Sequence, residues 1–125
     1  MNGNPICLAA GKAALEELEK PGTYEGLWAN GEKLRTGLLQ RLTAAGYAVV
    51  TSAGGPVFHL SFGTTQARTY RETLDADAAM YSDFGLALLD EGVMVLPDGR
   101  WYLSTAHSEA DIDATLAAVD RVIRG

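Results

Sequence analysis

Cysteine occurs once in the 125 residues, at Cys7. A single thiol excludes an internal disulfide, and it makes a cytoplasmic location the expected one. Histidine occurs only at His59 and His107, so no Cys/His cluster with zinc spacing exists. Positive charge is scarce as well. Ten Lys and Arg against sixteen Asp and Glu leave a net charge of -6, which argues against nucleic acid and against an anionic membrane surface as partners. No apolar run approaches the length of a bilayer span, and no charged start with an apolar core marks a signal peptide. A Gly-x-Ser-x-Gly elbow and a phosphate loop are both missing. No repeat or low-complexity stretch is found.

What remains is the composition of a globular domain, with 47% hydrophobic and 21% charged residues. The length suits one domain over residues 1–125, burying roughly two-thirds of the surface of the unfolded chain. Asn4 followed by Pro5 predicts a helix start, and Pro21 stops that helix near Glu19. Thr23 is expected to cap a second helix with an apolar stripe of Tyr24, Leu27, Trp28, Leu34, Leu38 and Leu42. Gly46 suits its left-handed end. "YAVVTS" and "PVFHLSF" read as strands separated by Gly54, Gly55 and Pro56. "GTTQAR" reads as a loop. A third helix is expected over Asp75 to Glu91, with Met80, Phe84 and Leu88 inward and Gly92 at its end. "VMVLP" and "RWYLST" read as a strand pair around Asp98-Gly99. Ser108 and Asp111 form a capping box for the last helix, with Ile112, Leu116, Val119 and Ile123 as its stripe. The fold class is therefore α+β, a small antiparallel sheet of three or four strands covered by helices.

Candidate chemistry is sparse. His59, inside a strand pattern, reads as a structural histidine, and His107 as a turn or capping residue. Glu16 with Lys20 reads as a solvated i,i+4 pair. By residues alone this is an α+β domain without a visible active site.

Two stretches carry a resemblance. "NGNPICLAAGKAALEELEKPGTYEGLWANGEKLRTGL" resembles the start of the C-terminal small domain of class III, fold-type-I aminotransferases, where a Ser-Gly-Asn-Pro signature leads into a small-residue helix. Here that signature is Asn2-Gly3-Asn4-Pro5. "LLDEGVMVLPDGRWYLSTAHSEADIDATLAAVDRVI" is similar to the tail of the branch containing glutamate-1-semialdehyde 2,1-aminomutase. The loop "PDGRW" is shorter than that branch's acidic-aromatic loop, which favours a broader aminotransferase-like assignment.

The resemblance implies a pyridoxal-phosphate enzyme whose large cofactor-binding domain, with the Schiff-base lysine and phosphate cradle, lies outside this chain. The lysines present are Lys12, Lys20 and Lys33, and none sits on the family's lysine motif. Hence no catalytic, cofactor-binding or metal residue is assigned, pyridoxal phosphate is not expected on this chain, and the chain alone is expected to be inert. Arg100, at the "LPDGRW" turn that faces the active-site mouth in the family, is the one substrate-binding candidate, because a guanidinium holds a carboxylate through two parallel hydrogen bonds. The first helix, apolar or small around most of its circumference, is expected to pack on the sheet with one side. The other side would meet the missing large domain or, in the isolated chain, a second copy in a homo-oligomer. A stand-alone small-molecule-binding module and a dimerisation module are the alternatives.

Overall fold

Asn4 accepts a hydrogen bond from the Ile6 amide at 2.9 Å and Pro5 takes the first helical position, so α1 (Pro5–Leu18) begins where the sequence signals it. The computed structural model describes residues 3–124; Asn2, the variant position of the signature, lies outside them. The remaining elements are α2 (Thr23–Ala44), β1 (Val49–Gly54), β2 (Val57–Phe62), α3 (Tyr70–Thr73), α4 (Ala78–Asp90), β3 (Arg100–Tyr102) and α5 (Glu109–Arg124).

The sheet has the order β1-β2-β3, antiparallel throughout, with Val49 opposite Phe62 and His59 opposite Arg100. Phe58, Leu60 and Phe62 alternate along β2 onto one face. They meet Leu34, Leu38 and Leu42 of α2, Tyr81, Phe84 and Leu88 of α4, and Ile112, Leu116 and Val119 of α5 in one hydrophobic cluster. The α+β class therefore holds, with three strands. Helix α2 closes as expected. The Tyr47 amide bonds to the Leu42 carbonyl, the Gly46 amide bonds to the Thr43 carbonyl, and Gly46 has φ +91°. Ser108 and Asp111 cap α5 reciprocally at 2.7 and 3.3 Å.

Two close approaches hold the layers together. A Cβ on Gly31 would sit 1.9 Å from the Gly55 carbonyl oxygen, so α2 lies directly on the β1–β2 turn. A Cβ on Gly37 would sit 2.8 Å from the Leu116 methyls, where α2 crosses α5. Beside Gly31, Glu32 accepts the Gly55 amide at 2.8 Å and two arms of Arg35.

Several expectations are corrected. Thr23 does not cap α2; Gly22, with φ +85°, takes that position, and the Thr23 hydroxyl donates back to the Glu17 carbonyl at 3.3 Å. The α2 stripe is split, because Tyr24 and Trp28 stay exposed while Leu34, Leu38 and Leu42 are buried. Helix α4 starts at Ala78 with Asp77 as its cap, and Tyr81 rather than Met80 faces inward. The short helix α3, with a capping box of Thr69 and Glu72, stands between the "GTTQAR" loop and the third expected helix, where no element is expected. "VMVLP" is not a strand. Pro97 has no N–H to give to a ladder, and the turn's carbonyl, Gly99 O, is taken by Leu60 of β2 at 2.9 Å. Lys20 pairs with Glu17 rather than Glu16, which pairs with Lys12. Most consequentially, α1 does not pack on the sheet. It buries no residue, and its main contact is with α2.

Candidate functional site

The turn before β3 gathers the polar groups of one end of the sheet. Gly99 takes φ +90°, and the turn closes through Gly99 N to Leu96 O at 3.4 Å. The strand that follows starts at Arg100, which places the candidate residue just past the tip of the turn. The Arg100 Nε donates to Asp98 Oδ2 at 2.7 Å, a second arm reaches the same oxygen, and Arg100 Nη1 lies 3.4 Å from the Tyr102 hydroxyl. These bonds engage Nε and both terminal nitrogens of the guanidinium. Of its five N–H groups, one on each terminal nitrogen remains for another acceptor.

The pair is electrostatically settled. The Arg100 guanidinium, by donating to it, holds the Asp98 carboxyl below the usual carboxylate value of 3.8, and Asp98 in turn pushes Arg100 upward. Arg100 and Tyr102 line a cavity of about 300 Å³ together with Met94, Leu96, Trp101 and His107. A second cavity of about 250 Å³ has His59, Ser61, Tyr81 and Asp98 in its wall. Burial pushes the Tyr81 hydroxyl up to about 12, so it stays neutral.

The histidines fall where the sequence suggested. His59 bonds to the Asp98 carbonyl and to Ser61. The His107 ring accepts the Ser104 amide at 3.0 Å, and its carbonyl accepts from Asn30 at 3.2 Å, fastening the turn before α5 to α2. The sequence reading missed Asp98 as the partner of Arg100 and Ser61 as the partner of His59. The second was accessible, since residues two apart on a strand share a face.

The lysines do not fit a Schiff-base role. Lys33 is held by Asp113 at 2.6 Å and Glu109 at 2.9 Å, and these carboxylates raise its pKa, opposite to what an amine nucleophile needs. Lys12 and Lys20 are exposed on α1 and the turn after it, each against a glutamate. Three of the helix N-termini are already filled, whereas that of α2, at Gly22, carries no side-chain cap. Asn4, Asp77 and the Ser108/Asp111 pair fill those of α1, α4 and α5, two of them with negative charge. Among the described residues, no group of three or more His, Cys, Asp and Glu is placed to hold a metal, and no helix is long and apolar enough to cross a membrane.

Comparison with known proteins places this geometry. No family model matches the chain. A glutamate-1-semialdehyde 2,1-aminomutase from Desulfatibacillum aliphaticivorans is 36% identical over 126 residues, covering 99% of this chain and 30% of that protein. The chain matches the C-terminal small domain of the class III aminotransferases.

Two solved structures agree. The β-phenylalanine aminotransferase of Variovorax paradoxus superposes with a TM-score of 0.71 at 27% identity, over 79% of this chain and 23% of its own. The FumI protein of Sphingopyxis sp. MTA144, in its PLP internal aldimine form, gives 0.76 at 28% identity, over 93% and 26%. The chain thus spans less than a third of the length of the proteins it matches, and the structural relatives include a pyridoxal-phosphate protein.

Proposed function

We propose that this chain is the single-domain C-terminal part of a cytoplasmic, pyridoxal-phosphate-dependent class III aminotransferase or aminomutase-like enzyme. In the full-length protein it serves amino-group transfer, and alone it is inert. The carrying observation is that nearly the whole chain aligns with under a third of such an enzyme. The cofactor supplies the electron sink for that chemistry and is held by the larger remainder. This domain contributes the turn before β3. There Arg100 holds its remaining terminal N–H groups beside a cavity of about 300 Å³, as a holder for a substrate carboxylate.

Two measurements test the reading. Mixed with pyridoxal phosphate and dialysed, the isolated chain retains no absorbance band near the visible edge. A retained band that vanishes when Lys12, Lys20 or Lys33 is changed would overturn the inert assignment. In a full-length enzyme carrying this domain, Arg100→Ala raises KM for carboxylate substrates by about tenfold or more, the worth of a charge-assisted hydrogen bond. An unchanged KM removes Arg100 from the site.

A further inference from the structure

His59 connects the sheet to the candidate site through a bond whose direction is fixed. Its Nε2 lies 2.7 Å from the Asp98 carbonyl oxygen. A carbonyl only accepts, so Nε2 carries the proton, and Nδ1 of a neutral ring is left as an acceptor. The Ser61 hydroxyl, 3.2 Å away, then donates to Nδ1. Ser61 is the one buried polar residue among those described, 3% exposed, and it sits two residues along the same strand. The ring is therefore held from both sides.

The turn in turn lies flat against the ring. A Cβ on Gly99 would come within 2.7 Å of His59 Cε1 and Nε2, and of the Leu60 carbonyl. Only a glycine permits this approach at φ +90°. Beyond the turn, Asp98 receives the Arg100 amide at 3.3 Å and its Nε at 2.7 Å. A run of contacts thus leads from buried Ser61 through His59 and Asp98 to Arg100, which is also the cross-strand partner of His59.

We propose that His59 is a positioning residue for the carboxylate-holding arginine. By fixing the Asp98 backbone it aims the Asp98 carboxylate, and through it the guanidinium of Arg100. This rests on the reading of Arg100 given above, but the contact run exists in the chain by itself and is testable there. Leu60 N to Gly99 O, at 2.9 Å, anchors the turn independently, so removal of His59 leaves the strand pairing in place and loosens the aim of the side chains.

Nitrogen-detected NMR of the whole chain reads the proposal directly. The wild-type His59 ring shows the proton on Nε2 and an accepting Nδ1, and the Arg100 Nε–H exchanges slowly. His59→Phe speeds that exchange by about fivefold, the worth of one net hydrogen bond. His59→Gln places an amide N–H near the Nε2 position and restores the wild-type rate. A wild-type proton on Nδ1, an unchanged rate in the Phe variant, or a Gln variant no slower than Phe overturns it. Should the Phe variant not fold, the wild-type tautomer and the Gln variant decide. In the full-length enzyme, His59→Phe raises KM for carboxylate substrates with kcat little changed. If Arg100→Ala leaves KM unchanged while the NMR pattern stands, the reading of Arg100 fails and the positioning contact survives. If Arg100→Ala raises KM and His59→Phe does not, the positioning role fails alone.

Discussion

At the scale of single residues, Gly31 and Glu32 do most to seat α2 on the sheet. With the Gly55 carbonyl 1.9 Å from where a Cβ would stand, Gly31→Ala forces backbone apart and costs about 2–3 kcal/mol. A chemical-denaturation midpoint unchanged from wild type would contradict this. Glu32 adds an acid dependence. Its carboxyl is held below 4.5 first by the Arg35 side chain and then by the Gly55 amide, both of which favour the charged form. The folded-state pKa thus lies below the unfolded one. The resulting stability is fully present above about pH 4.5 and is lost as pH falls through the folded value. Glu32→Gln should cost about 1 kcal/mol near neutrality, a figure reduced for partial exposure. It should also flatten the decline of stability in acid. Denaturation midpoints compared near pH 7 and near pH 3 check both.

At the scale of elements, α1 and α2 are opposites. Leu38 and Leu42 of α2 are fully buried, whereas Ile6, Leu8 and Leu15 of α1 are 79%, 62% and 62% exposed. Leu38→Ala is therefore expected to cost about 2–5 kcal/mol through lost contacts and a residual cavity. Leu15→Ala should change stability by less than about 0.5 kcal/mol. Hydrogen exchange should rank the helices in the same way, with α1 amides opening far more readily than those of α2 around Leu38. Equal protection in the two helices would show that α1 is held by something other than its thin contact with α2. The sequence signals for both helices, caps and breakers, are local chemistry. The difference in burial is not local at all.

At the scale of the whole molecule, the unpacked α1 leaves more apolar surface wet than one expects from a helix with a side on the sheet. Tyr24 and Trp28 at the start of α2 extend it. We propose that the isolated chain self-associates through this surface. Burying about 400 Å² of apolar area offers about 10 kcal/mol before association costs, which leaves a weak dimer. Sedimentation at rising concentration should show a shift toward a larger species by hundreds of micromolar. Leu8→Asp with Leu15→Asp, two turns apart on one face, should abolish the shift. A strictly monomeric wild type, or a dimer indifferent to both changes, defeats the proposal.

By itself the sequence determined what short-range chemistry controls. The Asn4-Pro5 start, the Gly46 and Gly92 ends, the Ser108/Asp111 box and the alternation of Phe58, Leu60 and Phe62 each follow from a few neighbouring residues. The resemblance to class III aminotransferases carried by "NGNPICLAAG" and "LSTAH" is legible for the same reason, being written in consecutive residues. Tertiary structure alone decided where hydrogen bonds go when two partners compete. Gly99 O goes to Leu60 rather than into a hairpin with "VMVLP", and Asp98 goes to Arg100 while its own carbonyl goes to His59. It also decided which apolar stripe is covered, because amphipathic spacing shows that a face exists and only the arrival of another element shows whether that face is buried.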